Sequence, residues 1–215
     1  MRGVLCYVTR MRVIGLTGGI ASGKSTVRRR LEEHDVRVLD ADAVYHELIT
    51  SKNGEPSPLA HSVGERFPGV LADDGNLDRE ALGRVVFTGT LANENRRALE
   101  AITHPAVAQE VGRRTQALRE SGCPLVIYDV PLLYERRLET GMDGVIVVWV
   151  PEALQIERLM ARDGIGEDDA RLRLGSQLPL DEKKRRATWV IDNSGDLVST
   201  RERVDALWHR VIAGD

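Results

Sequence analysis

The chain has 215 residues, 42% hydrophobic and 29% charged, and its 30 basic and 33 acidic residues give a net charge of −3. That length suits one large α/β domain, or an α/β core with helical insertions. The charge balance excludes a whole-protein field that would gather nucleic acid or an anionic membrane, so an anionic substrate must be met by locally clustered arginines.

In chain order, residues 1–11 hold two arginines and a brief apolar patch, too short for a signal peptide. They read as an N-terminal extension, with Met11 as the natural start because Arg12 opens the first strand directly. The apolar, β-branched run at 13–16 ends in glycines and predicts a buried strand. Residues 24–34, with Val27 and Leu31 four apart, predict a helix, and 36–39 a second strand. This β-loop-α-β unit begins a parallel sheet. Residues 41–51 predict a helix and 52–58 a Gly/Pro-punctuated break.

From 59 to 120 no strand is expected. Apolar residues recur at helical spacing over 77–87, 91–102 and 107–118, which reads as a helical substrate-binding insertion. Strand three, at 125–128, leads into Asp129. The run Val-Ile-Val-Val-Trp-Val at 145–150 is the strongest strand signal, and its unbroken apolarity suits a strand covered on both faces. A helix follows at 151–162, with Pro151 in its first turn. Short charged helices are expected at 167–177 and 181–187, a fifth strand at 189–191 and a closing helix at 200–212. This gives a nucleotide-binding core (12–58, 121–150 and 188–215), a substrate domain (59–120) and a lid (151–187). No apolar run approaches the ~18 residues of a membrane span. Cys6 and Cys123 make no disulfide framework, which fits a reducing, cytoplasmic setting.

Gly18-Gly-Ile-Ala-Ser-Gly23-Lys24-Ser25 matches the phosphate-binding pattern G-x-x-x-x-G-K-[ST] in full, with Thr26 next. Glycines allow left-handed backbone and close approach to a phosphate. Successive N–H groups form an anion nest, and the following helix adds its positive end. Lys24 reaches the β- and γ-phosphates, and the Ser25 hydroxyl can ligate Mg²⁺. The motif lies between a predicted strand and a predicted helix, its confirming context.

Kinases, GTPases and motor ATPases share this loop, so it does not choose among them. The chain has no Asn-Lys-x-Asp guanine-reading motif, and strand three ends in Asp129-Val-Pro131, not the Asp-x-x-Gly of a GTPase switch. Asp40-Ala-Asp42 follows strand two at the carboxyl edge of the sheet, where ligands bind. A carboxylate there can orient or deprotonate an attacking hydroxyl. Asp42 is the better candidate, since Asp40 is also placed to cap the next helix. Arg158 and Arg162, four apart on the helix after strand four, can embrace transferring phosphates, or pair with Glu157 or Glu152 on a solvated face. The basic run 183–186 reads as a solvated face.

Taken together the residues resemble the dephospho-coenzyme A kinase family. The matching segments are Ile14 through Thr26, Leu39-Asp-Ala-Asp42, Leu77-Asp-Arg79 with Val86-Phe87, His104-Pro105, Asp129-Val-Pro-Leu-Leu-Tyr-Glu135, Arg158-Leu159 with Arg162, Gln177 with Lys183, and Val190-Ile-Asp-Asn-Ser-Gly195. They run in the family's order from about residue 12 to the C-terminus. The resemblance implies a P-loop nucleoside-kinase-like α/β fold: a five-stranded parallel sheet flanked by helices, with a helical substrate insertion and a helical lid. It also implies transfer of the γ-phosphate of ATP to the ribose 3′-hydroxyl of dephospho-coenzyme A, with Mg²⁺.

Under that resemblance Asp42 is the base, Lys24, Arg158 and Arg162 stabilise the transferring phosphate, and Asp78, Arg79 and His104 lie near the acceptor. Gly19, Ile20, Ala21, Ser22, Gly23, Lys24, Ser25 and Thr26 hold the phosphates. Asn193 and Gly195 lie beside the adenine. Ser25, with Asp129 through a bound water, serves the metal, and Glu135 orients a basic neighbour. Tyr134 departs from the apolar residue common at its position. Neither a nucleic-acid nor a membrane partner is expected. The competing readings are another nucleotide kinase, resembling cytidylate kinase, and a catalytically idle nucleotide-binding regulator.

Overall fold

The structure, a computed structural model, describes residues 10–213; most of the expected N-terminal extension lies outside them. The strands are β1 (Arg12–Gly18), β2 (Arg37–Asp40), β3 (Leu125–Asp129), β4 (Gly144–Trp149) and β5 (Trp189–Asp192). They form the expected five-stranded parallel sheet, in the order β2-β3-β1-β4-β5. Leu16 lies in register with Asp129 on one side and Ile146 on the other. β1 is thus central, and the loop that follows it leaves from the middle of the sheet's carboxyl edge. The first five residues of β4 are all buried, as an apolar run covered on both faces requires.

The described residues divide into two compact units. The first comprises the residues up to Leu39 with those from Ser121 onward; the second is Asp40–Glu120. In the first, α1 (Lys24–Glu32) and α9 (Leu197–Ala213) cover the sheet. Val27 and Leu31 of α1 join Ile14, Leu16, Ile127, Ile146 and Val148 of the sheet and Val204, Leu207 and Trp208 of α9 in one core. The same unit carries α6 (Glu152–Asp163), α7 (Glu167–Leu174) and α8 (Leu180–Arg186), the segment expected to form the lid.

The second unit is helical: α2 (Ala41–Ile49), α3 (Pro58–Arg66), α4 (Arg79–Phe87) and α5 (Ala92–Glu120). It starts before the expected boundary at 59, because Tyr45, Leu48 and Ile49 of α2 pack into the same core as Leu59, Val63, Phe67 and Leu82. α3 was not expected from the sequence. Its signal was the start chemistry: Ser57 accepts from the Ala60 N–H at 3.1 Å, and Pro58 stands at the first turn. Residues 91–102 and 107–118 are one helix, not two. Pro105 costs its helix about 3 kcal/mol. Ala98, Leu99 and Ile102 before it and Ala106 after it all pack on the same core, and that burial offsets the cost. Pro151 caps α6 from outside and is not in its first turn.

Candidate active site

Gly23, at φ +83°, turns the chain into α1, and Ala21 two residues earlier is also left-handed, at φ +58°. A non-glycine residue in that region is strained, so its surroundings must hold it there. No described side chain caps α1, and its first turn carries no acid. By contrast Asp40, Ser57 and Asp78 cap α2, α3 and α4. The first N–H groups of α1 are therefore left to an acceptor from outside, with the helix's positive end behind them.

Ser25 stands exposed at this helix start. The Lys24 ammonium pairs with the fully buried carboxylate of Asp129 at the end of β3, and Arg28 Nη1 lies 3.7 Å from the other carboxylate oxygen. Arg28 is a neighbour the sequence did not single out. It shares a face with Lys24, four residues on. Hydroxyl and carboxylate are hard oxygen donors, so Ser25 and Asp129 suit a divalent cation of the Mg²⁺ type.

The loop after β3 is tied down beside this site. Thr17 donates to the Pro131 carbonyl at 3.0 Å. Glu135 accepts from Lys183 at 2.8 Å and from the Leu178 N–H at 2.9 Å, so it does orient a basic neighbour. The expectation of a solvated basic face at 183–186 is corrected here. Lys183 is fully buried, Lys184 lies 3.4 Å from the centroid of the Trp149 ring, and Arg186 covers the ring of buried Tyr134 at 4.4 Å while pairing with Glu139. Burial pushes the Lys183 ammonium below the usual lysine range, and Glu135 partly opposes that. Burial of Glu135 is outweighed by its hydrogen bonds, which hold its carboxyl below the usual range.

The two late arginines separate. Arg158 donates to the Asn193 carbonyl at 3.1 Å, and its Nη1 lies 3.9 Å from where a Cβ on Gly23 would stand, so it sits against the loop. Arg162 is exposed and pairs with Asp163 at 2.7 Å, a partner other than the Glu157 or Glu152 considered from the sequence. Asn193 is buried. Its amide donates to the Ser22 carbonyl at 2.7 Å and accepts from Thr200 at 2.6 Å. Gly195 is exposed in the turn after β5.

In the helical unit, Asp40 accepts from the N–H groups of Asp42 and Ala43, at 2.9 and 3.1 Å. It thereby fixes the backbone at Asp42 and leaves the Asp42 side chain exposed. Asp78 likewise accepts from Glu80 and Ala81. Arg79 beside it reaches α2, with Nη2 2.9 Å from His46 Nδ1. His46 lies one helical turn beyond Asp42, on the same face. The unit thus brings Arg79 to the face that carries Asp42. His104 is half-buried in α5, just before Pro105. Sequence reasoning missed His46, whose one signal was its i, i+4 spacing from Asp42.

A parallel sheet with a phosphate-binding loop off its central strand, an uncapped helix start and a helical insertion after the second strand define a kinase of the P-loop class. Within that class the chain belongs to the dephospho-CoA kinase family, whose model matches residues 12–199. A dephospho-CoA kinase from Symbiobacterium thermophilum is 48% identical over 206 residues, 95% of this chain and 83% of that one. A crystal structure from Thermus thermophilus is similar with a TM-score of 0.77 at 34% identity, covering 95% of this chain and 98% of its own. The dephospho-CoA kinase from Campylobacter jejuni gives a TM-score of 0.70 at 25% identity, with coverages of 94% and 98%.

Proposed function

We propose that the chain transfers the γ-phosphate of ATP to the 3′-hydroxyl of the dephospho-coenzyme A ribose, giving coenzyme A and ADP, the last step of coenzyme A synthesis. The observation that carries this reading is the loop from Gly18 to Thr26, opening on an uncapped helix in a chain matched by the dephospho-CoA kinase model over residues 12–199.

The ribose oxygen forms a bond to the γ-phosphorus while the bond to the ADP oxygen breaks. A secondary hydroxyl is a weak nucleophile, and Asp42 accepts its proton and aligns it. The exposure of Asp42 and its fixed backbone suit that task. Phosphoryl transfer depends mainly on positioning and charge neutralisation. Lys24 leaves Asp129 for the phosphates. Arg158, which already lies against the loop, turns to them, and Arg162 must first exchange Asp163 for phosphate. Residues 19–26 cradle the phosphates with those N–H groups that the loop does not use itself, since Ile20 gives its N–H to Gln177 and Ser22 its own to the Gly19 carbonyl, and Asn193 and Gly195 border the adenine. Arg79 meets the anionic part of the acceptor, and Asp78 and His104 serve the same substrate. Ser25 and Asp129 would hold Mg²⁺, which neutralises phosphate charge when bound.

We place the reaction in the cytoplasm, where ATP and reduced thiols coexist. No helix among the described residues is long and apolar enough to cross a membrane. The test is coenzyme A formation from dephospho-coenzyme A, ATP and Mg²⁺. Transfer only to a nucleoside monophosphate would overturn the acceptor, and ATP binding without transfer to any acceptor would overturn the catalysis.

A further inference from the structure

The backbone of the phosphate-binding loop poses a requirement that its motif does not meet. If N–H groups turn inward to a phosphate, the intervening carbonyls turn outward, and buried carbonyls need donors. Three such carbonyls, two residues apart, each receive one from a side chain far along the chain. The Gly18 carbonyl accepts from Lys183 Nζ at 3.3 Å, the Ile20 carbonyl from Gln155 Nε2 at 2.7 Å, and the Ser22 carbonyl from Asn193 Nδ2 at 2.7 Å. Ile20 is held on its other side too: its N–H, in the preceding peptide group, donates to Gln177 Oε1 at 3.0 Å.

All the donors come from residues 155–193, and Lys183, Gln155 and Asn193 are 0, 4 and 7% exposed. The Lys183 ammonium is itself fixed by Glu135 and by the Pro131 carbonyl at 3.1 Å. The glycines fit the same arrangement. A Cβ on Gly19 would meet Gln155 Nε2 at 2.4 Å, and one on Gly23 would meet Asn193 Nδ2 at 2.0 Å. These two glycines are thus required from behind, by the approach of the donors, as well as from the phosphate side.

We propose that Lys183, Gln155 and Asn193 are positioning residues for nucleotide binding. They bind alternate carbonyls on the outer side of the loop, hold Ala21 and Gly23 left-handed, and so keep the inner N–H groups converged on one phosphate position. This rests on the reading that the loop binds ATP. Preorganisation of this kind acts on nucleotide affinity and leaves acceptor binding untouched.

The test uses the full chain with Lys183→Met, Gln155→Met and Asn193→Leu, each of which removes the donor and keeps approximate volume. ATP with Mg²⁺ is titrated calorimetrically at a temperature where thermal unfolding curves show the variant folded. Each loss should raise the Kd for ATP about tenfold, the scale of one lost buried hydrogen bond. The KM for dephospho-coenzyme A at saturating ATP should stay within about twofold. A merely structural residue would lower the melting temperature and leave the Kd of the folded protein unchanged; that result overturns the proposal. If Lys183→Met does not fold, Gln155→Met, which strands no buried charge, decides. A wild-type chain that does not bind ATP would overturn the phosphate-loop reading along with this one.

Discussion

Lys24 and Asp42 carry opposite burdens. Lys24 is a cation held by a buried carboxylate, Asp129, so it must exchange one anion for another. Removing it leaves Asp129 with Arg28 and takes a fixed positive charge from the phosphate site. Lys24→Ala should lower kcat by about 10²–10³, the cost of losing one electrostatic stabiliser of a transition state, read by steady-state coenzyme A formation. Asp42 is exposed and Asp40 does the capping, so Asp42→Asn changes little in the fold. It should lower kcat by about 10²–10⁴, the range for a general base, while the Kd for ATP measured by calorimetry stays the same. Near-normal turnover in that variant would remove Asp42 from the chemistry. The capping role of Asp40 was legible in the sequence because an N-cap needs only local geometry. The release of Lys183 from the expected solvated face was not legible. A run of four basic residues does not say which one the helix turns inward.

Among the elements, α1 and α4 start in different ways for different ends. α4 is capped by Asp78, which accepts from Glu80 and Ala81 at 2.9 and 3.0 Å. Asp78→Ala should cost about 1 kcal/mol, the usual value of a cap, read as a lower denaturant midpoint with an unchanged slope. A larger loss of acceptor affinity than of stability would add a substrate contact to the capping role. Within β1, Gly15 leaves no room for a side chain, since a Cβ would meet Met142 Sδ at 2.4 Å and Leu133 Cδ1 at 2.6 Å. Gly15→Ala should destabilise the sheet unit by about 1–3 kcal/mol through overpacking, measured by thermal or urea unfolding. Strand positions were legible because buried strands are short unbroken apolar runs. α3 was overlooked because its Ser57-Pro58 start reads equally as a turn, and the continuity of α5 because Pro105 reads as a stop.

At the scale of the whole chain, each unit carries an acid held far below the usual carboxylate range. In the sheet unit, Arg30 grips Asp205 with bonds of 2.7 and 2.6 Å and His34 adds a third at 2.8 Å, joining α1 to α9. The Arg30 hydrogen bond brings Asp205 down to about 2, against the cost of its desolvation. In the helical unit, Arg113 and Arg114 do the same for Glu110, also to about 2. A carboxyl whose folded pKa is depressed contributes stability that is full above its unfolded value near 4 and is lost as pH falls through the folded one. Melting temperature should therefore fall between about pH 4.5 and pH 2, and Asp205→Asn should flatten part of that fall while lowering the melting temperature at pH 7. An unchanged acid profile would remove the Arg30–Asp205 pair from the stability of the sheet unit.

The sequence by itself determined the strands, the phosphate-binding loop and the family, because each is written in contiguous residues: apolar runs, a spaced glycine-lysine motif, and short segments in fixed order. Tertiary structure alone decided what stands behind the loop. Lys183, Gln155 and Asn193 are separated from it by more than a hundred residues, and only the tertiary placement of α6, α8 and the end of β5, which pairs with β4, brings them to its carbonyls. A sequence motif records what faces the phosphate. What satisfies the other side of the same peptide groups depends on which distant donors the packed core carries there.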